Sequence, residues 1–344
     1  MPEKATEENQ QDAAKRRASG EFVRGVSGFR AVIGETAEFP AEPNRYHLIV
    51  ALNCPWCHRV TLTRNALGLQ DSISMDVVFP NRTGDDDPAG PNQWEFAPDK
   101  VATLTDATLP ECTHETATGQ GLRLVKEFYE AEGSTEKSVP VLFDKKTQRI
   151  VTNESADIIR MLDAQAEALG SALVRAERPD LYPQGRDNAD LRADIDALNE
   201  QIYVTINNGA YKAGFSSNQE VYAHAFKAYF DTLDDLETRL SDDRAFLTGD
   251  RFTEADLRLF PTLYRHDPVY FLRMKLNSAR ILDYPHLWRW LCRVYALPGV
   301  ADSGSLIHCR QGYFGRSWNN VVPLGPLRPM PYPEAYGHPE LAGK

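Results

Sequence analysis

The tetrapeptide Cys54-Pro55-Trp56-Cys57 stands between two segments of different periodicity, and that junction limits the folds open to the chain. Residues 46–52 alternate and are rich in apolar side chains, as a short buried strand should be. Residues 58–67 read as a helix. A C-x-x-C between strand and helix is a specific signal for a thioredoxin-like redox site. A cysteine at a helix start meets unpaired backbone N–H groups and the positive end of the helix dipole. Both favour the thiolate, which is the reactive form, so Cys54 is the candidate nucleophile. Two other readings compete. The pair can be buried and structural, and Cys54 to His58 also spells C-x-x-C-H, the attachment motif of c-type haem. Haem attachment usually needs an exported chain, and residues 1–19 are polar and charged, without the apolar core of a secretory signal. A cytoplasmic address is the expectation.

The chain has 344 residues, enough for a sizeable core and most simply two domains. Its net charge of −11 argues against nucleic acid and against an anionic membrane surface, since both call for basic patches. No apolar run approaches the length of a membrane span. Five cysteines form too sparse and too odd a set for a disulfide scaffold. Zinc fits poorly, because the single C-x-x-C has no second pair at finger spacing and the His residues are scattered; no metal is expected.

Along the chain, residues 1–20 have little to bury and read as disordered. Residues 21–165 alternate between strand and helix after an N-terminal extension, with a long polar insertion near 80–119 that contains Asp85-Asp86-Asp87; a loop of that length is usually functional or mobile. Strands are expected over 73–79, 139–143 and 149–152, a helix over 122–131, and another opened by Asn153 and Ser155. Residues 185–325 are all-helical in pattern: Leu191, Ile195, Leu198 and Ile202 share a face, and so do Tyr222, Phe226, Tyr229, Leu233, Leu236 and Leu240. Thr253 to Asp256 spells a capping box. Residues 207–215 interrupt the helical pattern with Asn207, Asn208, Gly209 and Gly214. Residues 326–344 form a proline-rich tail. The fold class is α/β plus all-α.

Three further places carry chemistry. In thioredoxin-like folds a proline at the start of the third strand takes the cis peptide beside the active cysteine and offers the backbone of the preceding residue to a bound thiol's peptide; Val139-Pro140 fits that role, although a proline before a strand is unremarkable alone. Glu154-Ser155 opens a helix, where a hydroxyl and unpaired N–H groups suit an anion and the carboxylate suits an ammonium, as at the γ-glutamyl end of glutathione. The bland reading is that Asn153 and Ser155 only cap the helix. Tyr203, Tyr211 and Tyr313 each offer a phenol, but tyrosines among apolar residues usually pack as core.

Together these pieces resemble the Xi class of glutathione transferases, the glutathionyl-hydroquinone reductases, from about residue 20 to 326. The resemblance rests on Arg45-Tyr46-His47-Leu48, Cys54-Pro55-Trp56, His58-Arg59, Trp94-Glu95-Phe96, Val139-Pro140-Val141-Leu142 and residues 153–161. It continues through Tyr203, Asn207-Asn208-Gly209, residues 211–215, Thr253-Glu254-Ala255-Asp256 and Asp283-Tyr284-Pro285. It implies a thioredoxin-like N-terminal domain followed by an all-helical C-terminal domain, a homodimer, and glutathione as cosubstrate. It further implies that Cys54 attacks the sulfur of a glutathione–hydroquinone conjugate and that a tyrosine protonates the leaving ring, Tyr211 first, with Tyr203 and Tyr313 beside it. Trp94, Val139, Glu154 and Ser155 would hold the thiol.

Two positions depart from the family pattern. Cys57 stands where the family commonly has alanine; it is either a resolving thiol or a small buried residue. Glu136 stands where the family usually has arginine, which alters the charge around the thiol's carboxylates. Lys137 or Arg123 is the compensating cation, and the thiol is glutathione or another low-molecular-weight thiol. Two rival functions remain open: an omega-like thioltransferase or dehydroascorbate reductase, and a redox-inert binding module.

Overall fold

The computed structural model of the protein describes residues 19–103, 112–315 and 321–323. The disordered N-terminus expected over residues 1–20 lies outside the described residues up to residue 18, and so does the proline-rich tail expected over 326–344. The chain divides into two compact units. One holds Gly28–Leu181 with the described residues from Tyr295 onward, and the other holds Tyr182–Val294 with the described residues up to Ser27.

The first unit is built on a four-stranded sheet in the order β2-β1-β3-β4, formed by β1 (Tyr46–Val50), β2 (Ser74–Val77), β3 (Val141–Asp144) and β4 (Arg149–Thr152). β1 runs parallel to β2 and antiparallel to β3, with Ile49 opposite Val141, and β3 is antiparallel to β4. All five residues of β1 are buried, as expected of an inner strand covered on both faces. Helices α1 (Pro55–Ala66), α2 (Lys126–Ala131) and α3 (Ser155–Gln165) follow β1, precede β3 and follow β4. This topology puts the end of β1, the start of β3 and the end of β4 at one edge of the sheet. The described parts of the long insertion are tied to that edge where Phe79 N donates to Glu95 O at 2.8 Å, and, after Asn92 N has closed the insertion on itself at Thr83 O (3.0 Å), where Thr113 N donates to Val77 O at 2.9 Å. The last contact covers the open side of β2.

In the second unit, α4 (Ala189–Gln201) continues through a π turn at Ile202–Asn207 into α5 (Asn208–Gly214). The expected interruption at 207–215 is instead α-helical over 208–214, and the widened turn precedes it. Asn207, the last residue of that turn, is buried and donates from Nδ2 to Arg258 O at 3.1 Å and Thr262 Oγ1 at 2.8 Å, so the polar residue is satisfied from outside its own helix. Gly209 lies against the Tyr229 ring. α6 (Gln219–Arg239) and α7 (Glu254–Arg265) follow, and α7 opens on the expected capping box. α8 (Pro285–Tyr295) brings Trp290 to the same box: Nε1 donates to Asp256 Oδ1 at 2.8 Å.

The chain then returns to the sheet-bearing unit. The turn before α9 (Leu306–Phe314) packs on α1, and α9 itself reaches the loop before α1, with Cys309 Sγ 3.7 Å from Leu52 O, although their sequence reads with the helical half. Thr61 Oγ1 donates to Ser303 O, and Asn65 Nδ2 donates to Gly299 O at 3.0 Å.

Candidate active site

Cys54 is the N-cap of α1, with extended backbone (φ −84°, ψ 124°) and a half-buried side chain. Pro55 suits the first helical position, where its missing N–H costs nothing. The Val139–Pro140 peptide is cis, and Cys54 Sγ lies 3.9 Å from Val139 O. These two come from the end of β1 and the start of β3, which the register holds side by side. Cys57 is buried one turn along, and its Sγ accepts the Ala51 N–H at 3.3 Å. Neither cysteine is in a disulfide.

Glu154 and Ser155 stand at the same edge, at the end of β4. The cap of α3 is Glu154 itself, not Asn153 or Ser155: its carboxylate accepts from Ala156 N at 3.0 Å and from Ser155 Oγ at 3.4 Å. Asn153 is instead a brace. Its Nδ2 donates to Ser138 Oγ at 3.0 Å and to Glu136, and its Oδ1 accepts from Phe29 N at 3.4 Å. Glu136 thus spends its carboxylate inside the protein, accepting also from Gly28 N at 3.0 Å.

Trp94 is buried, with the Arg82 guanidinium 4.3 Å from its ring centroid. Arg123 is held by two carboxylates: NH1 and NH2 donate to Asp87 at 3.0 and 2.7 Å, and NH1 also donates to Glu95 at 2.9 Å. Beside this guanidinium the Asp87 carboxyl is held down at about 2. A cleft of about 300 Å³ opens next to these residues, lined by Arg82, Asp86, Asp87, Glu95 and Lys100 among others. Lys137 is exposed.

Tyr313 is half-buried on α9, in the unit that carries Cys54. Tyr203 and Tyr211 belong to the helical unit. Tyr203 is on the π turn and 37% exposed. Tyr211 sits on α5 in an aromatic cluster, with ring centroids 5.7 Å from Phe22, 5.6 Å from Phe215 and 6.4 Å from Tyr270.

Several residues that shape this region carry no local signal. Asn53, directly before Cys54, donates from Nδ2 to Pro80 O at 3.2 Å, and Gly312 of α9 packs so closely on it that a Cβ there would lie 2.1 Å from Nδ2. His58 Nε2 is 3.0 Å from Ser303 Oγ. Because Ser303 Oγ donates to Val300 O at 2.6 Å, it accepts from His58, which fixes the proton on Nε2. Ser303 and Gly312 are more than two hundred residues away in sequence from His58 and Asn53. Only the polar residue before the cysteine and the glycine inside a helix hint at them. Among the described residues no group of three His, Cys, Asp or Glu side chains is placed to hold a metal ion, and no helix is long and apolar enough to cross a membrane.

The chain thus places a thiol sulfur beside the backbone of a cis-proline turn, with a helix start at the same edge of the sheet. Residues 53–165 match the family model described as "Glutathione S-transferase, N-terminal domain", and residues 219–293 match "Glutathione S-transferase, C-terminal domain". The glutathionyl-hydroquinone reductase PcpF of Sphingobium chlorophenolicum is 38% identical over 91% of this chain and 92% of its own. Among solved structures, the glutathione-S-transferase Xi of Phanerochaete chrysosporium superposes with a TM-score of 0.79 at 36% identity, over 92% of this chain and 96% of that one. The glutathione-bound structure of YqjG, from Escherichia coli K-12, gives 0.75 at 37% identity, over 90% of this chain and 96% of that one. The chain belongs to the Xi class of glutathione transferases, the enzyme family of the glutathionyl-hydroquinone reductases.

Proposed function

We propose that this enzyme removes glutathione reductively from glutathionyl-hydroquinones, through a mixed disulfide on Cys54. The observation that carries the reading is the half-buried Cys54 sulfur at the start of α1, 3.9 Å from the Val139 carbonyl. The Cys54 thiolate attacks the sulfur of the conjugate. The carbon–sulfur bond breaks, its electron pair stays on the ring carbon, and a tyrosine hydroxyl protonates that carbon as the hydroquinone leaves. Tyr211 is the first candidate for the acid, and Tyr203 and Tyr313 are the other two. The cluster of Phe22, Tyr211, Phe215 and Tyr270 supplies aromatic walls of the kind that suit a flat hydroquinone. A thiol then displaces glutathione from Cys54.

Trp94, Val139, Glu154 and Ser155 hold the thiol in this reading. With Arg123 engaged by Asp87 and Glu95, Lys137 is the better candidate for a carboxylate of the thiol. The enzyme acts as a cytoplasmic homodimer on small quinone–thiol conjugates.

The test measures hydroquinone release from glutathionyl-menadiol and dehydroascorbate reduction side by side. Cys54→Ser is expected to lose the first activity by more than about a thousandfold. Tyr211→Phe is expected to lower it by about a hundredfold and to spare any dehydroascorbate reduction, which has no ring carbon to protonate. Retention of hydroquinone release by Cys54→Ser overturns the proposal.

A further inference from the structure

We infer that Cys57 resolves the mixed disulfide, so that the enzyme releases glutathione by closing a Cys54–Cys57 disulfide and is reset by a dithiol donor. The inference rests on the proposed function above and adds the fate of the intermediate. Three observations point to it.

The first is placement. Cys54 is the N-cap of α1 and Cys57 the third residue of that helix, so the two side chains are one turn apart on one face, about 5–6 Å between Cβ atoms in such pairs. A disulfide needs Cβ atoms about 3.5–4.5 Å apart. Cys54 has extended rather than helical backbone, so it can swing toward Cys57 without unwinding the helix.

The second is the hydrogen bond to the sulfur. Ala51 N donates to Cys57 Sγ at 3.3 Å, which is the polarity a thiolate needs, and the start of the helix adds its positive dipole end. An apolar filler in this position would leave that buried N–H without its sulfur acceptor. The buried Arg59 guanidinium, stacked 4.5 Å from the Trp56 ring centroid, puts a cation on the same short stretch of helix.

The third is the difference in access. Cys54 is half-buried and Cys57 fully buried. A conjugate arriving from solvent therefore meets Cys54 first, and the sulfur presented to Cys57 is that of Cys54. This order is the division of labour between an attacking and a resolving thiol.

The step balances. The Cys57 thiolate attacks Cys54 Sγ of the mixed disulfide, the bond between Cys54 and the glutathione sulfur breaks, and glutathione leaves as a thiolate that takes up the proton lost by Cys57. The Cys54–Cys57 disulfide is then reduced by two electrons and two protons from a dithiol protein, whose own pair becomes a disulfide.

The test is a single turnover of the full-length enzyme with glutathionyl-menadiol and no added thiol, quenched in acid, followed by intact mass and by assays of released hydroquinone and glutathione. Wild type is expected to release about one glutathione per hydroquinone and to end with an internal disulfide, whereas Cys57→Ser and Cys57→Ala end with a glutathionyl adduct on Cys54 and release almost none. The serine variant keeps an acceptor for Ala51 N–H, so a fault in folding is separated from a lost thiol. If wild type yields hydroquinone yet keeps the adduct as stably as the variants, the inference is overturned and the proposed function stands. If none of the three proteins yields hydroquinone, both are overturned.

Discussion

Glu136→Gln separates two roles for a carboxylate that stands where the family usually has arginine. If the charge faced a carboxylate of the bound thiol about 6 Å away, the repulsion would be about 0.7–2.8 kcal/mol between water-like and protein-like dielectric. Removing it would then lower KM for the glutathione conjugate by about 3-fold to about 100-fold. The structure turns the carboxylate elsewhere: it accepts from Gly28 N at 3.0 Å and from Asn153, which in turn holds Phe29 N and Ser138. These bonds tie the N-terminal extension to the loop leading into Glu154. A glutamine offers one acceptor oxygen to the two donors, so one bond is lost and the other loses its charge assistance, a cost of about 1–2 kcal/mol at a half-buried site. The expected result is an unfolding free energy in urea lowered by that amount and a KM changed by less than about twofold, read by steady-state kinetics with glutathionyl-menadiol. A KM that falls several-fold while stability stays put would refute the bracing role and make Glu136 a selector against glutathione.

Three further outcomes are expected. Asp256→Ala should cost about 3–5 kcal/mol in chemical denaturation, because Leu247 N, Thr253 N and Trp290 Nε1 all donate to this buried carboxylate, at 2.8–3.0 Å, and lose it together. Gly312→Ala should lower stability by about 1–3 kcal/mol despite the better helix former, by pushing Asn53 off Pro80 O, and should slow iodoacetamide labelling of the adjacent Cys54. The Asp87–Arg123 pair depresses the folded carboxyl to about 2, so its contribution is complete above the ordinary carboxylate range and is lost as pH falls toward 2. A carboxyl carbon titration by NMR that finds Asp87 protonating at its ordinary value of 3.8 would show the pair to be open in solution.

The amino-acid sequence by itself determined the elements and the chemistry that is local to them. Five apolar-rich residues before Cys54, the proline at the first helical position and the Thr253–Asp256 capping box act within a few residues of themselves, so period and spacing reveal them. Contacts between distant segments were decided only by the tertiary structure. Asn153 and Ser155 have good capping chemistry, yet Glu154 caps α3 because Asn153 is drawn away to Phe29, Ser138 and Glu136. The polar run at 207–215 stays helical because α7 supplies the partners of Asn207. α9 reads like any other helix, but it packs beside the cysteine loop, where Gly312 leaves room for Asn53. A donor's preference for its own neighbours is written along the chain; which distant acceptor outbids them depends on how the segments pack, and no single segment records that.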